Sequence, residues 1–306
     1  MELAIIILCI SLLLLVFLLL IPYATYRIAF HRKEKSTDPY SRISADNHFQ
    51  RALIDRLVSE ECEIIEITSK DGLKLRARLY YRFPGAPVQI QCHGYRSTPL
   101  LDFSGGAAEA LDSRHNLLLI YQRSHCESEG MTITFGSKES EDLLLWIDEV
   151  IRRYGEETKI VLVGISMGAA TVLLASGKEL PDNVRCIVSD CPYSSTKEII
   201  TKVAGEMGFP KASYPFVRLG AKLFGGFDPD QDSPLSAVAR SKTPILFIHG
   251  EDDDFVPCEM TLRMYEAARC GKALFTVPEA GHGLSYIVDR DGYRDALSEF
   301  LSKHLG

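Results

Sequence analysis

Ser166 lies at the centre of Gly164-Ile165-Ser166-Met167-Gly168, a G-x-S-x-G between an apolar, β-branched run at 160–163 and a second apolar run at 169–174. Strand, tight turn and helix in that order hold a serine backbone in a strained conformation. They leave Oγ clear of the sheet, ready to attack a carbonyl carbon. Side chains two residues either way would collide with the bend, which accounts for glycine at 164 and 168. Average residue usage gives a chance G-x-S-x-G in roughly 10% of chains this long. The chemistry therefore also requires a base, an acid and an oxyanion hole.

His282 meets the requirement for the base. It follows an apolar run at 273–277 and stands in Ala280-Gly281-His282-Gly283, where glycine on both sides frees the ring to reach the serine. His31, His48 and His304 lie near the termini or in a polar stretch, and His115 precedes a strand. His93, His125 and His249 also follow strands and compete, although His93 and His249 suit loop-shaping roles. For the acid, Glu251, Asp252, Asp253 and Asp254 follow the strand ending at His249, and spacing does not choose among the four. A carboxylate there fixes the imidazole tautomer while the imidazole takes the serine proton. The order serine, acid, histidine is that of hydrolases built on a mostly parallel sheet. The oxyanion donors are expected to be the amides of Met167, the residue after the serine, and of Tyr95, in the loop opened by His93-Gly94.

The elements that must hold these residues are legible from periodicity. Runs at 61–68 and 73–81 form a hairpin across Ser69-Lys70-Asp71-Gly72. Further strands fall at 88–92, 116–121, 160–163, 186–190, 243–249 and 273–277, the buried ones as nearly continuous apolar runs. Helices are expected at 99–113, 138–154 (Leu143, Trp146, Ile147 and Val150 on one side) and 286–304. From residue 88 strands and helices alternate. The expected fold is therefore α/β, a mostly parallel eight-stranded sheet covered by helices on both faces. Residues 193–242 hold more chain than one crossover needs, and form a small helical insertion that is either a cap or an elaborated crossover.

Composition narrows the class. The 306 residues carry 34 Lys and Arg against 41 Asp and Glu, a net charge of −7, with no basic block, which disfavours nucleic acid as a partner. Eight scattered cysteines without a C-x-x-C read as free thiols in a reducing compartment rather than a disulfide framework. No G-x-G-x-x-G and no metal-ligand cluster occurs, so neither a cofactor nor a metal is expected.

Residues 3–21 are almost wholly apolar, long enough for a bilayer core. No basic stretch precedes them and no small-residue cleavage site follows, which favours a retained anchor over a secretory signal cleaved to release the domain. Pro22, Tyr23 and Tyr26 form an interfacial end. Arg27, Arg32, Lys33 and Lys35 follow, placing the C-terminal side in the cytoplasm of a single-pass cell-membrane protein. The expected division is an anchor at 1–25, a juxtamembrane linker with a short amphipathic helix at 26–58, and a catalytic domain at 59–306.

Four ordered motifs between about 61 and 303 resemble the α/β-hydrolase superfamily, particularly compact bacterial serine hydrolases of the serine-aminopeptidase and monoglyceride-lipase type. His93-Gly94-Tyr95 resembles the family's H-G oxyanion loop, and Gln122-Arg123 through Ser128 and Gly130 its Q-R-x-x-G-x-S-x-G loop. Gly164 to Gly168 is the elbow. Gly250, Asp253, Val256 and Pro257 resemble G-x-x-D-x-x-V-P, and that resemblance singles out Asp253 as the acid. Two positions depart from the pattern: Cys126 stands where glycine is usual, and Tyr121 where aspartate is common. The resemblance implies an acyl-enzyme hydrolase of carboxylic esters or thioesters, with Ser166, His282 and Asp253 as its triad. The substrate would be a small acyl compound, with lipid as one candidate. A peptidase and a non-catalytic binding protein on the same fold are the alternatives.

Overall fold

A computed structural model describes residues 2–32, 38–40, 43–44 and 46–306, with only the backbone of 12–15 and 17. Lys33 and Lys35 of the sequence reading, and Ala45 within the stretch expected as a linker, lie outside the described residues. Helix α1 (Glu2–Ala29) carries the N-terminal apolar run. Among the described residues no helix is long and apolar enough to cross a membrane. The side chains of 12–15 and 17, within α1, are not among those residues.

Helix α2 (His48–Ser59) buries Ile54 and Leu57 and leads into β1 (Glu63–Thr68) and β2 (Lys74–Tyr80), an antiparallel pair closed by a turn with Gly72 at φ +85°. Next come β3 (Val88–Cys92), α3 (Pro99–Asp102), α4 (Ser104–Asp112) and β4 (Asn116–Ile120). The elements α5 (Ser137–Tyr154), β5 (Ile160–Ile165), α6 (Met167–Ser176) and β6 (Val184–Asp190) follow. An insertion holds α7 (Thr196–Glu206), α8 (Tyr214–Gly220) and α9 (Pro234–Val238). The chain closes with β7 (Ile245–Gly250), α10 (Cys258–Ala267), β8 (Lys272–Val277), α11 (Ser285–Val288) and α12 (Arg290–Leu305). The eight strands form one sheet in the order β1-β2-β4-β3-β5-β6-β7-β8, with β2 antiparallel to its two neighbours and the rest parallel. This is the expected architecture.

Each sheet face has its own core. On one, Leu143, Trp146, Ile147 and Val150 of α5 and Val172 and Leu173 of α6 cover Ile90, Leu118 and Leu162. On the other, Ala107 and Leu111 of α4 and Tyr293, Phe300 and Leu301 of α12 cover Leu117, Leu119 and Val161. Two expected helices are each broken in two. Phe103 separates α3 from α4, where the Asp102 carboxylate turns back to accept the Gly94 amide at 2.6 Å. Asp289 separates α11 from α12 and caps α12 by accepting the Gly292 amide at 2.9 Å.

A third cluster lies beyond the carboxyl ends of the strands. There Tyr26 and Phe30 pack with Phe135, Met167, Tyr193, Tyr214 and Phe227. The start of the segment expected as a linker is therefore part of the domain. Phe30 is fully buried, its ring 5.6 Å from Phe135 and 5.2 Å from Phe227, both edge-on. Close approach of α8 to α1 depends on Gly220, where a Cβ would sit 2.2 Å from the Pro22 carbonyl oxygen. Within the insertion, Ile199 of α7 and Val217 of α8 join this cluster, while α9 buries Val238 in the sheet core.

Phe30→Ala is expected to lower unfolding free energy by about 3–5 kcal/mol, the usual cost of emptying a buried aromatic site. In a solvated linker the same change stays within about 0.5 kcal/mol. Denaturant unfolding of the full chain measures the difference.

Candidate active site

The run into Ser166 is built as the G-x-S-x-G demands. Ser166 has φ 56° and ψ −115°, a conformation that costs a non-glycine residue about 1–3 kcal/mol. A Cβ at Gly164 would lie 2.3 Å from the Gly168 carbonyl oxygen, and one at Gly168 only 1.8 Å from that of Cys92. No side chain fits at either position, so α6 starts hard against the ends of β3 and β5.

His282, in the loop after β8, receives Ser166: its Nε2 lies 2.8 Å from Oγ. Its Nδ1 lies 2.7 Å from Oδ2 of Asp253, in the loop after β7. Of the four acidic residues at 251–254, Asp253 alone is buried. Its Oδ1 accepts the amides of Phe255 (3.0 Å) and Val256 (2.8 Å), and Oδ2 also lies 3.1 Å from His249 Nε2. Burial opposes ionisation of this carboxyl, but hydrogen bonds from His249 and His282 outweigh it and hold it below the ordinary aspartate range. With Asp253 acting as acceptor, the His282 proton sits on Nδ1 and leaves Nε2 to accept from the serine. His249 is the floor of this arrangement, its Nδ1 2.6 Å from Thr261 Oγ1.

The loop after β3 passes directly over the serine, and a Cβ at Gly94 would be 3.4 Å from Ser166 Cβ. Two buried histidines shape it. The Gln122 amide donates to His93 Nε2 at 3.2 Å, so His93 Nδ1 donates to the Gly94 carbonyl at 2.8 Å. The Arg96 amide donates to His125 Nε2 at 2.9 Å, so His125 Nδ1 donates to the Arg123 carbonyl at 2.9 Å. Burial keeps both rings neutral, lowering each pKa, and His93 adds to the effect on His125. Among the described residues, no protein acceptor takes the amide of Tyr95 or Met167. Met167 directly follows the serine, and Tyr95 follows Gly94 in the loop over it.

The loop after β4 is fixed by Arg123, which is bidentate to Asp142 (2.6 and 2.6 Å) and to Asp71 (2.9 and 3.1 Å). Cys126 explains the usual glycine: it has φ 44°, in the left-handed region that a residue without Cβ enters most readily.

Two buried residues escaped the sequence reading, each just past β6 or at its end. Cys191 forms with Asp253 and His282 the one group of His, Cys, Asp and Glu side chains among the described residues close enough to share a metal ion. Burial drives its thiol well above the ordinary range, and a protonated thiol is a poor ligand. Asp190 is buried facing Tyr293, beside a cavity of about 50 Å³ that Gln91, Asp102, Ile165 and Gly283 also line. A buried strand gives no periodic sign of such a carboxylate.

The profile of the prolyl oligopeptidase family matches residues 131–306, a range containing Ser166, Asp253 and His282. The Bacillus subtilis protein YqkD is 33% identical over 195 residues, 62% of this chain and 63% of its own. The chain thus spans under two thirds of that relative. Thiohydrolase aneE of Aspergillus aculeatus is 29% identical over 198 residues, 61% of this chain and 60% of its own. Among solved structures, the Pyrococcus furiosus esterase Pf2001 is 25% identical with a TM-score of 0.66, over 82% of this chain and 94% of that one.

Burial pushes the Asp190 carboxyl up to about 6. The folded chain then binds this proton more tightly than the unfolded one. The stability contributed is complete below the ordinary aspartate value of about 3.9 and is lost as the pH rises through the folded value. At about 1.4 kcal/mol per pKa unit, keeping Asp190 ionised at neutral pH costs the fold on the order of 3 kcal/mol. Asp190→Asn, neutral throughout, is expected to raise the thermal midpoint strongly near pH 7.5 and far less near pH 4. An equal shift at both would remove burial as the cause.

Proposed function

Because the chain belongs to the prolyl oligopeptidase family, within the α/β-hydrolase superfamily of serine hydrolases, we propose that it cleaves carboxylic esters or thioesters through an acyl-enzyme on Ser166. The observation that carries this reading is the hydrogen-bonded line from Ser166 Oγ through His282 to Asp253, at 2.8 and 2.7 Å. Ser166 Oγ attacks the acyl carbon as His282 Nε2 takes its proton, and Asp253 holds the imidazole and stabilises the imidazolium. The carbonyl oxygen becomes an oxyanion held by the amides of Met167 and Tyr95. One such donor is typically worth about 10²–10³ in rate. Collapse breaks the bond to the leaving alcohol or thiol, which receives the proton from His282. Water then repeats the sequence on the acyl-serine, releasing the acid and regenerating Ser166.

The esterase Pf2001 supports the ester as the scissile bond, and thiohydrolase aneE the thioester. The description of the matched family favours a second reading, cleavage of a peptide bond. We further propose that α1 anchors the chain in the cell membrane with the domain on the cytoplasmic side. The apolar run at 3–21 and the basic residues that follow it support this.

A fluorophosphonate probe is expected to label the wild type and to leave Ser166→Ala unlabelled; an unlabelled wild type ends the hydrolase reading. Across acyl esters, acyl thioesters and aminoacyl amides, turnover confined to the amides would replace esterase by peptidase. For topology, protease added to intact cells is expected to spare the domain until the membrane is permeabilised.

A further inference from the structure

Residues 26–32 grip the site on two sides, although the chemistry just proposed makes no use of them. On one side is the loop over the serine. The Tyr95 hydroxyl donates to the Ala29 carbonyl at 2.7 Å. Arg96 Nη2 donates to the carbonyls of Ile28 at 2.8 Å and His31 at 3.0 Å. The carbonyls of Ile28 and Ala29 belong to the last turn of α1, where they have no partner within the helix. The Arg96 guanidinium also lies over the Tyr95 ring, 4.7 Å from its centroid.

On the other side is the loop after β4. Arg32 donates to the carbonyls of Cys126 (2.7 Å) and Ser128 (3.0 Å). The backbone pairs as well, Ile133 donating to Phe30 (2.8 Å) and Arg32 to Met131 (2.8 Å). The two sides meet where His125 accepts the Arg96 amide at 2.9 Å. Phe30 closes the grip from behind through Phe135, whose ring is 5.1 Å from that of Tyr95.

We infer that the end of α1 is a positioning element of the active site, which sets the Tyr95 amide over Ser166 by holding the side chains of Tyr95 and Arg96. The inference rests on the proposed part of Tyr95 in the oxyanion hole. Neither side chain takes part in the proposed chemistry; each acts through the backbone between them. A misplacement of about 1 Å at a reacting centre can cost 10²-fold in rate. Such a loss appears in the transition state and not in substrate binding.

The test uses the full chain with Tyr95→Phe, Arg96→Met, Arg96→Lys and Ser166→Ala. The readouts are the second-order rate of fluorophosphonate labelling, kcat and KM for a p-nitrophenyl acyl ester, and the thermal midpoint. Arg96→Met is expected to slow labelling and lower kcat about tenfold or more, with KM within about twofold of wild type. Arg96→Lys, which keeps a donor, is expected to recover part of the rate, and Tyr95→Phe to fall between. Folded Arg96→Met and Tyr95→Phe variants with unchanged labelling rate and kcat overturn the inference while leaving the hydrolase reading intact. If Arg96→Met does not fold, Tyr95→Phe, which removes one hydroxyl, decides by the same split between kcat and KM. A wild type that is not labelled overturns both.

Discussion

Gly168 approaches the end of β3 so closely that the carbonyl oxygen of Cys92 would lie 1.8 Å from any Cβ placed there. That contact sets where α6 begins and leaves Ser166 its positive φ, held by buried β5 and α6 on either side. It also governs the loop over the serine. Cys92 is the last residue of β3, so residues 93–96 start from the contact and must cross Ser166 on their way to α3. Ser166 and the loop over it thus share one origin, and a shift in it moves both.

Around that point the protein separates its buried carboxylates by environment. Asp253 is surrounded by donors, two backbone amides and two imidazoles, and stays charged although buried. Asp190 is also buried but lacks such a set of donors, and its carboxyl shifts toward the neutral form. The difference lies in the hydrogen-bond donors present, which decide whether burial wins.

The sheet, its order of crossing helices and the serine and histidine positions were legible because each rests on a local pattern: continuous apolar strands, a 3.6-residue helical period, glycines at a forced bend. Asp253 was not legible by spacing, since four neighbouring carboxylates share its loop. The resemblance to G-x-x-D-x-x-V-P singled it out, and its burial and its bond to His282 Nδ1 separate it from Glu251, Asp252 and Asp254. Phe103 and Asp289 broke expected helices because the contacts responsible, Asp102 to Gly94 and Asp289 to Gly292, are side-chain to backbone bonds rather than gaps in periodicity. Residues 26–32 read as linker since their partners stand 65 or more residues away in the chain. Nothing in Tyr26-Arg27-Ile28-Ala29-Phe30-His31-Arg32 signals that Phe30 will be fully buried.

Helix α6 starts beside Ser166 and is buried along its whole length. Its aligned peptide dipoles place roughly half a positive charge at that end, where little water screens it. A growing negative charge on a carbonyl oxygen is favoured there, and so is any other anion of similar size. Under the proposed acyl-enzyme chemistry, an acid released at Ser166 ionises at neutral pH and has to leave against this attraction. A helix that favours cleavage in that chemistry would therefore also retain the carboxylate product, and the speed of departure would belong to the same piece of architecture.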